Sequence, residues 1–234
     1  MKSDLAVILL SGGLDSATTL YFAKNQGFKC YCLIFDYGQR HRREIQSAKA
    51  IAQGAKCPFE IVKISLPWKG SALVDRSINI PLVTRSSLGF ARDRQGHRVT
   101  SDIPVTYVPG RNIIFLSFAL SFAEAINAKA IFIGAHAQDY SGYPDCRPEF
   151  YRAFSRVIST GTKAGVEKKN IEIKTPLIHK TKSQIVKLGI RLGVPFELTW
   201  SCYKGGQRPC GECDSCYFRQ KGFTEAGKTD PLLH

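Results

Sequence analysis

The chain has no apolar run long enough to cross a bilayer, no internal repeat, no low-complexity segment and no long basic tail. The first lack argues against a membrane-spanning protein, and the others against repeat architectures and disordered arms. Its N-terminus, MKSDLAVILLSGG, carries no cleavable pattern, because the apolar stretch is short and runs straight into Ser11-Gly12-Gly13. These features predict a soluble, cytoplasmic protein. Acidic residues are also scarce, 19 Asp and Glu against 33 Lys and Arg, for a formal charge of +14. That excess suits an anionic partner, nucleotide phosphate or RNA, and equally suits a lysine-rich solvated surface. The 234 residues, 44% hydrophobic, suffice for one domain with a real core, with or without a small appendage.

What is present alternates. Short apolar runs at 5–10, 29–35, 59–64, 129–134 and 171–177 read as buried strands. Helical patterns fall at 16–26, 43–53, 112–128, 148–165 and 181–193, with Pro148 at a first helical position and Thr181 and Gly193 as caps of the last. The alternation predicts an α/β fold, a Rossmann-like open, mostly parallel five-stranded sheet. Residues 66–109 lack periodicity and read as a long loop, of which 66–106 receive no role. A domain over 1–195 and a cysteine-rich C-terminal segment over 196–234 are expected.

Between the first strand and first helix lies SGGLDS, residues 11–16. A glycine-rich bend there presents backbone N–H groups at the positive end of a helix dipole, a ready phosphate site. Gly12 and Gly13 permit a sharp turn and close approach. Ser11 and Ser16 add hydroxyls, and Ser16 suits a helix cap. Asp15 beside phosphate implies Mg²⁺ between them, or a capping role. The segment lacks the lysine of a Walker loop and is too short for G-x-G-x-x-G.

Of eight cysteines, Cys202, Cys210, Cys213 and Cys216 crowd the C-terminus. Two-residue gaps let thiolates converge, as in closed Cys₄ zinc sites or iron–sulfur clusters. Zinc is favoured, one structural ion per chain, because four thiolates saturate Zn²⁺ and no redox step is needed. Cys30 and Cys32 share a strand face and read as core; Cys57 has no neighbour in sequence, and Cys146 reads as packed.

SGGLDS resembles the pyrophosphate loop of ATP pyrophosphatases, which adenylate an oxygen that a nitrogen or sulfur nucleophile then displaces. FDYGQRHRREI (35–45), YVPGRNIIF (107–115), YSGYPDCRPEF (140–150) and the cysteine-rich tail, in this order, further resemble the 7-cyano-7-deazaguanine synthase family of queuosine biosynthesis. The resemblance implies ATP-driven conversion of 7-carboxy-7-deazaguanine and ammonia to the nitrile. Carboxylate and then amide are activated, with Mg²⁺ accompanying ATP. It also implies a homodimer, with no nucleic acid required. A glutamine-dependent route lacks room for its glutaminase, and Lys2 rather than cysteine follows Met1.

Carried onto this chain, the resemblance places ATP against Leu9, Leu10, Ser11, Gly12, Gly13, Leu14, Asp15 and Ser16. Asp36, just past strand two, would contact ATP or metal. Arg40 and His41 suit phosphate or base, and an exposed helix start as well. Asp15, Ser16, Arg111 and Lys182 are the expected catalytic groups, with Lys180 competing for the last role. For the deazapurine, Tyr143 would stack, Asp145 would accept from the guanidine-like edge and Arg147 would pair with the carboxylate. His136, His97, His179 and His234 read as packed or hydrogen-bonded. The competing readings are a tRNA thiolase of the same superfamily and a non-enzymatic zinc ribbon that binds nucleic acid.

Overall fold

In the computed structural model the described residues are 3–40, 42–68, 70–75, 77–80, 82, 103–136 and 143–233. Five strands, β1 (Leu5–Leu9), β2 (Lys29–Asp36), β3 (Phe59–Lys63), β4 (Ala130–Ile133) and β5 (Glu172–Lys174), form one sheet in the order β3-β2-β1-β4-β5. Every pairing is parallel. The chain builds outward from β1 through β2 to β3, then crosses to the other side of β1 for β4 and β5. Strand order therefore reverses at β1 and β4, and a crevice opens beyond their C-terminal ends.

Strand side chains alternate between two cores, as a sheet covered on both faces requires. Ala6, Ile8, Cys30, Cys32, Ile34 and Phe132 face one; Val7, Leu9, Leu33, Phe35, Ile131 and Ile133 face the other. Helices α1 (Leu14–Asn25) and α2 (Arg43–Gly54) cover the first core, joined by α6 (Lys182–Arg191) and α7 (Asp214–Glu225). Helices α3 (Arg111–Ala125) and α4 (Pro148–Gly161) cover the second. Cys57 joins Cys30 and Cys32 in the first core, so it has neighbours in space that it lacks in sequence.

Four details depart from the sequence reading. The helix expected over 148–165 stops at Gly161, and Thr162 caps a separate turn, α5 (Lys163–Val166), by accepting from the Gly165 N–H at 2.9 Å. Helix α7 lies in the cysteine-rich tail, where no helix is expected. Gly13, not Ser16, is the N-cap of α1. The helix expected over 43–53 runs on through Gly54, and the left-handed residue after it is Lys56, at φ 54°, not a glycine. By contrast α6 carries a full capping box, Thr181 with Gln184, and Gly193 follows it at φ 71°. Among the described residues, no helix is long and apolar enough to cross a membrane.

The tail packs onto the first core rather than standing apart. Phe196 and Phe223 meet edge to face at 5.3 Å. Buried Arg219 pairs with Asp230 at 2.7 Å and donates to Thr199 Oγ1 (2.7 Å) and the Phe196 carbonyl (3.1 Å). All its hydrogen-bonding ends are thereby occupied or nearly so, which is the condition for burying a guanidinium.

Candidate active site

The glycine bend meets α2 so closely that only glycine fits. Gly12 has φ 87°, and a Cβ there would lie 2.3 Å from the Glu44 carbonyl oxygen and 2.8 Å from the Ala48 nitrogen. Gly134, just past β4, is equally tight: its Cβ would stand 2.9 Å from the Ser16 nitrogen. Between them the bend is held from within. Ser16 Oγ accepts from the Ser11 N–H (3.2 Å) and donates to the Gly13 carbonyl (3.1 Å), and Ser11 Oγ accepts from the Gly13 N–H (3.3 Å). The first backbone bond of α1 is Ala17 N–H to the Gly13 carbonyl, which leaves the Leu14, Asp15 and Ser16 amides open at the helix's positive end.

Asp15 faces two bases from distant elements. Lys182 Nζ, on the first residue of α6, lies 2.9 Å from both carboxylate oxygens. His136 Nε2, just past β4, lies 3.5 Å from Asp15 Oδ2 and 2.8 Å from Lys182 Nζ. Burial acts to raise the Asp15 carboxyl, but the charges and hydrogen bonds of Lys182 and His136 outweigh it and hold Asp15 well below the usual range. The ring of His136 meets this group through Nε2, and its other nitrogen is Nδ1. That Nδ1 is buried without a partner among the described residues. Gly222 of α7 backs the lysine, since a Cβ there would meet Lys182 Cγ at 2.5 Å.

These groups line a cleft with two continuous parts, of about 290 and 240 Å³, that share Asp15, Gly134, Arg111, Tyr143 and Tyr203. Leu9, Leu10, Ser11, Gly13, Leu14 and Ser16 line the larger part, and His136 and Lys182 the smaller. Arg111 enters from the start of α3 and hydrogen-bonds Tyr37. Burial alone would lower its pKa, yet the surrounding Tyr37, Cys146 and Tyr143 raise it above the ordinary value. Tyr143 packs its ring on Tyr107 at 6.0 Å and its hydroxyl lies 2.6 Å from Thr106 Oγ1.

Other expected residues sit elsewhere. Asp36 ends β2 and lines neither part of the cleft, whereas Tyr37 and Gln39 beyond it line the larger. Arg40 also lines the larger part but spends its guanidinium on the Asp75 and Ile78 carbonyls, at 3.0 and 2.6 Å. His41 lies outside the described residues. Asp145 is 5% exposed and caps α3: its Oδ2 accepts from the Asn112 N–H at 3.1 Å, and its carbonyl from Asn112 Nδ2 and the Tyr151 hydroxyl. Arg147 is exposed at the N-cap of α4, and neither it nor Lys180 lines the cleft. Several lining groups escaped the sequence reading, His136, Glu44 and Tyr203 among them. His136 looked like any packed histidine, Glu44 like a solvated helix residue, and Tyr203 sits beside a cysteine that drew attention first.

The four C-terminal thiols converge. Sγ atoms of Cys202, Cys210, Cys213 and Cys216 all lie within 4.8 Å of one another, Cys210 and Cys216 at 3.9 Å. A regular tetrahedron around zinc with Zn–S near 2.3 Å has edges of about 3.8 Å, so the spacing fits a metal ion. Cys202 Sγ accepts from the Cys210 N–H, and Cys210 Sγ from those of Glu212 and Cys213, which orients and stabilises thiolates. The cluster touches the cleft through its chain. The Trp200 backbone N–H donates to the Gly12 carbonyl at 2.9 Å, and Ser201, Tyr203 and Ser215 form a cleft wall. The group could hold a metal whose loss would loosen that wall.

The chain is similar to known proteins. The family model for "Queuosine biosynthesis protein QueC" matches residues 5–227. A 7-cyano-7-deazaguanine synthase of Trichodesmium erythraeum is 52% identical over 230 residues, covering 97% of this chain and 99% of that protein. One of Thermoplasma volcanium is 50% identical over 229 residues, covering 98% and 90%. Among solved structures, an NMN synthetase of Francisella tularensis is similar with a TM-score of 0.48 and 16% identity, covering 99% of this chain and 81% of that one. The sequence resemblance and the family match agree over nearly the whole length: the chain belongs to the QueC family of queuosine biosynthesis proteins.

Proposed function

We propose that the protein makes 7-cyano-7-deazaguanine from 7-carboxy-7-deazaguanine and ammonia, using ATP twice as an adenylating agent. The observation that carries the ATP half is the lysine-free bend of Ser11–Ser16. Its open amides and glycine-only packing at Gly12 suit a departing pyrophosphate. The substrate half rests on membership of the family and on Arg111 and Tyr143 lining the same cleft.

In the first half, a carboxylate oxygen of the substrate attacks the α-phosphorus and pyrophosphate leaves onto the bend. Lys182, moving off Asp15, neutralises charge that grows on the leaving phosphates, the dominant contribution a protein makes to such transfers. Asp15 is the carboxylate that would hold Mg²⁺, and the ion would supply further charge neutralisation on the triphosphate. Ammonia then attacks the acyl carbon, AMP leaves and the amide remains. In the second half the amide oxygen is adenylated in the same way, and loss of AMP with two N–H protons leaves the nitrile. The four thiols hold one structural zinc ion. The resemblance also implies a homodimer.

The test is direct. The purified chain is incubated with 7-carboxy-7-deazaguanine, ammonium and Mg-ATP, and products are followed by mass and nucleotide chromatography. Nitrile with two AMP per turnover is the expected result. Formation of ADP would overturn the adenylation route, and no nitrile would overturn the whole reading.

A further inference from the structure

Among the described residues, two carboxylates line the larger part of the cleft, Asp15 and Glu44. Asp15 is committed to Lys182 and His136. Glu44, in the first turn of α2, makes no side-chain hydrogen bond and no ion pair with any described residue. It sits within electrostatic range of Arg111, Tyr37 and Tyr203, all of which line the same cavity. A half-buried carboxylate without donors, next to aromatic rings, is an acceptor that awaits a ligand.

The other acid considered for this task is not available. Asp145 is buried beneath the cleft, with Oδ2 on the Asn112 amide, and removing it from that place would uncap α3. We propose that Glu44, not Asp145, recognises the guanidine-like edge of the deazapurine, taking its N1–H and 2-amino N–H as two parallel hydrogen bonds. The inference rests on the functional reading above. Two donors side by side match the two oxygens of one carboxylate, and charge-assisted pairs of this kind are strong. Arg111, close to Glu44, is then the partner for negative charge at the substrate's opposite end. Burial, aided by the nearby Cys202, pushes the Glu44 carboxyl up against the pull of Arg111, so the two ligand donors would supply the stabilisation of the anion that the protein itself withholds.

The experiment compares 7-carboxy-7-deazaguanine with its analogue lacking the 2-amino group, by kcat/KM in wild type and Glu44→Gln, with ATP KM measured alongside. Glutamine keeps the shape but offers one acceptor and two donors, which oppose the substrate's own donors. The wild type should prefer the amino substrate by about 10²-fold or more, and Glu44→Gln by less than about tenfold, with ATP KM within about threefold. Asp145→Asn should keep the wild-type preference whatever it does to thermal stability. Preference retained in Glu44→Gln, or a loss confined to ATP KM, overturns the proposal. Equal use of both substrates by the wild type overturns it while leaving the synthase reading intact. No nitrile from wild type overturns that reading first, and this proposal with it.

Discussion

Lys182 Nζ is 2.9 Å from both oxygens of Asp15, a residue 167 positions earlier in the chain. The contact exists because α6, started by its Thr181–Gln184 capping box, points its first residue at the crevice where β1 and β4 part. Asp15 stands at the start of α1 on the opposite lip. Two helix N-termini thus face one another, and the ion pair between them holds the charge that ATP would later claim. His136, just past β4, lies 2.8 Å from the same lysine and completes the group.

Lys182→Met should reduce kcat/KM by about 10²–10³-fold, since it removes the mobile cation from the departing phosphates. Pyrophosphate release under saturating ammonium measures this. The variant should also lose stability at pH 7 relative to wild type. Asp15 is held below its unfolded pKa, so its pairing stabilises the fold above about pH 4 and fades as pH falls toward the lower folded value. Urea denaturation should accordingly show a gap at pH 7 that narrows on acidification. A gap independent of pH would argue that lost packing, not charge, is responsible.

Gly12→Ala tests the bend. The new Cβ must occupy a left-handed φ of 87° and a point 2.3 Å from the Glu44 carbonyl oxygen. Strain of this kind costs about 1–3 kcal/mol before any clash, so a Tm drop of about 5 °C or more is expected, with ATP binding abolished. Differential scanning calorimetry and nucleotide titration read the two effects separately. A variant with wild-type Tm would mean that α2 can yield at Ala48.

The sequence made the frame legible because its signals are local. An apolar run such as 5–10 and a cap such as Thr181 are written in adjacent residues, and a mostly parallel sheet follows from their alternation, whereas the reversal of strand order at β1 does not. What was hidden is what only the crevice assembles. Nothing near Asp145 in the chain reveals that Asn112 draws it under α3, and nothing near Glu44 reveals that its helix start faces Tyr203. Thiol spacing did show that four cysteines converge on a group that could hold a metal, whereas α7 escaped notice because cysteine and glycine mask its periodicity. His136 lacked any signal in sequence, for its partners are 46 and 121 residues away in the chain.

The purified protein should be colourless and contain one zinc ion per chain by mass spectrometry of the native state. Cys213→Ser should lose that ion. Because Trp200 and Tyr203 flank Cys202 while Trp200 donates to Gly12, loss of metal should also weaken ATP binding by about tenfold or more. Brown protein with acid-labile sulfide would instead favour an iron–sulfur cluster. Full activity after complete chelation would show that the cleft wall stands without metal.

Glu44 should make the ligand-free fold less stable as pH rises, opposite to Asp15. Its folded pKa of about 7 lies above the ordinary carboxylate value, so between about pH 4.5 and 7 the folded state holds a proton that the unfolded chain has released. Stability therefore falls across that window and the full penalty is present above pH 7. At 1.36 kcal/mol per unit, with allowance for the residue's partial exposure, the penalty is about 1–3 kcal/mol. Glu44→Gln should raise Tm by about 2–8 °C at pH 8 and leave it unchanged at pH 4.5, even as turnover falls. Stability gained together with function lost would mark Glu44 as a residue kept for its ligand. A lower Tm at pH 8 would instead make it a structural acid whose partner is Arg111.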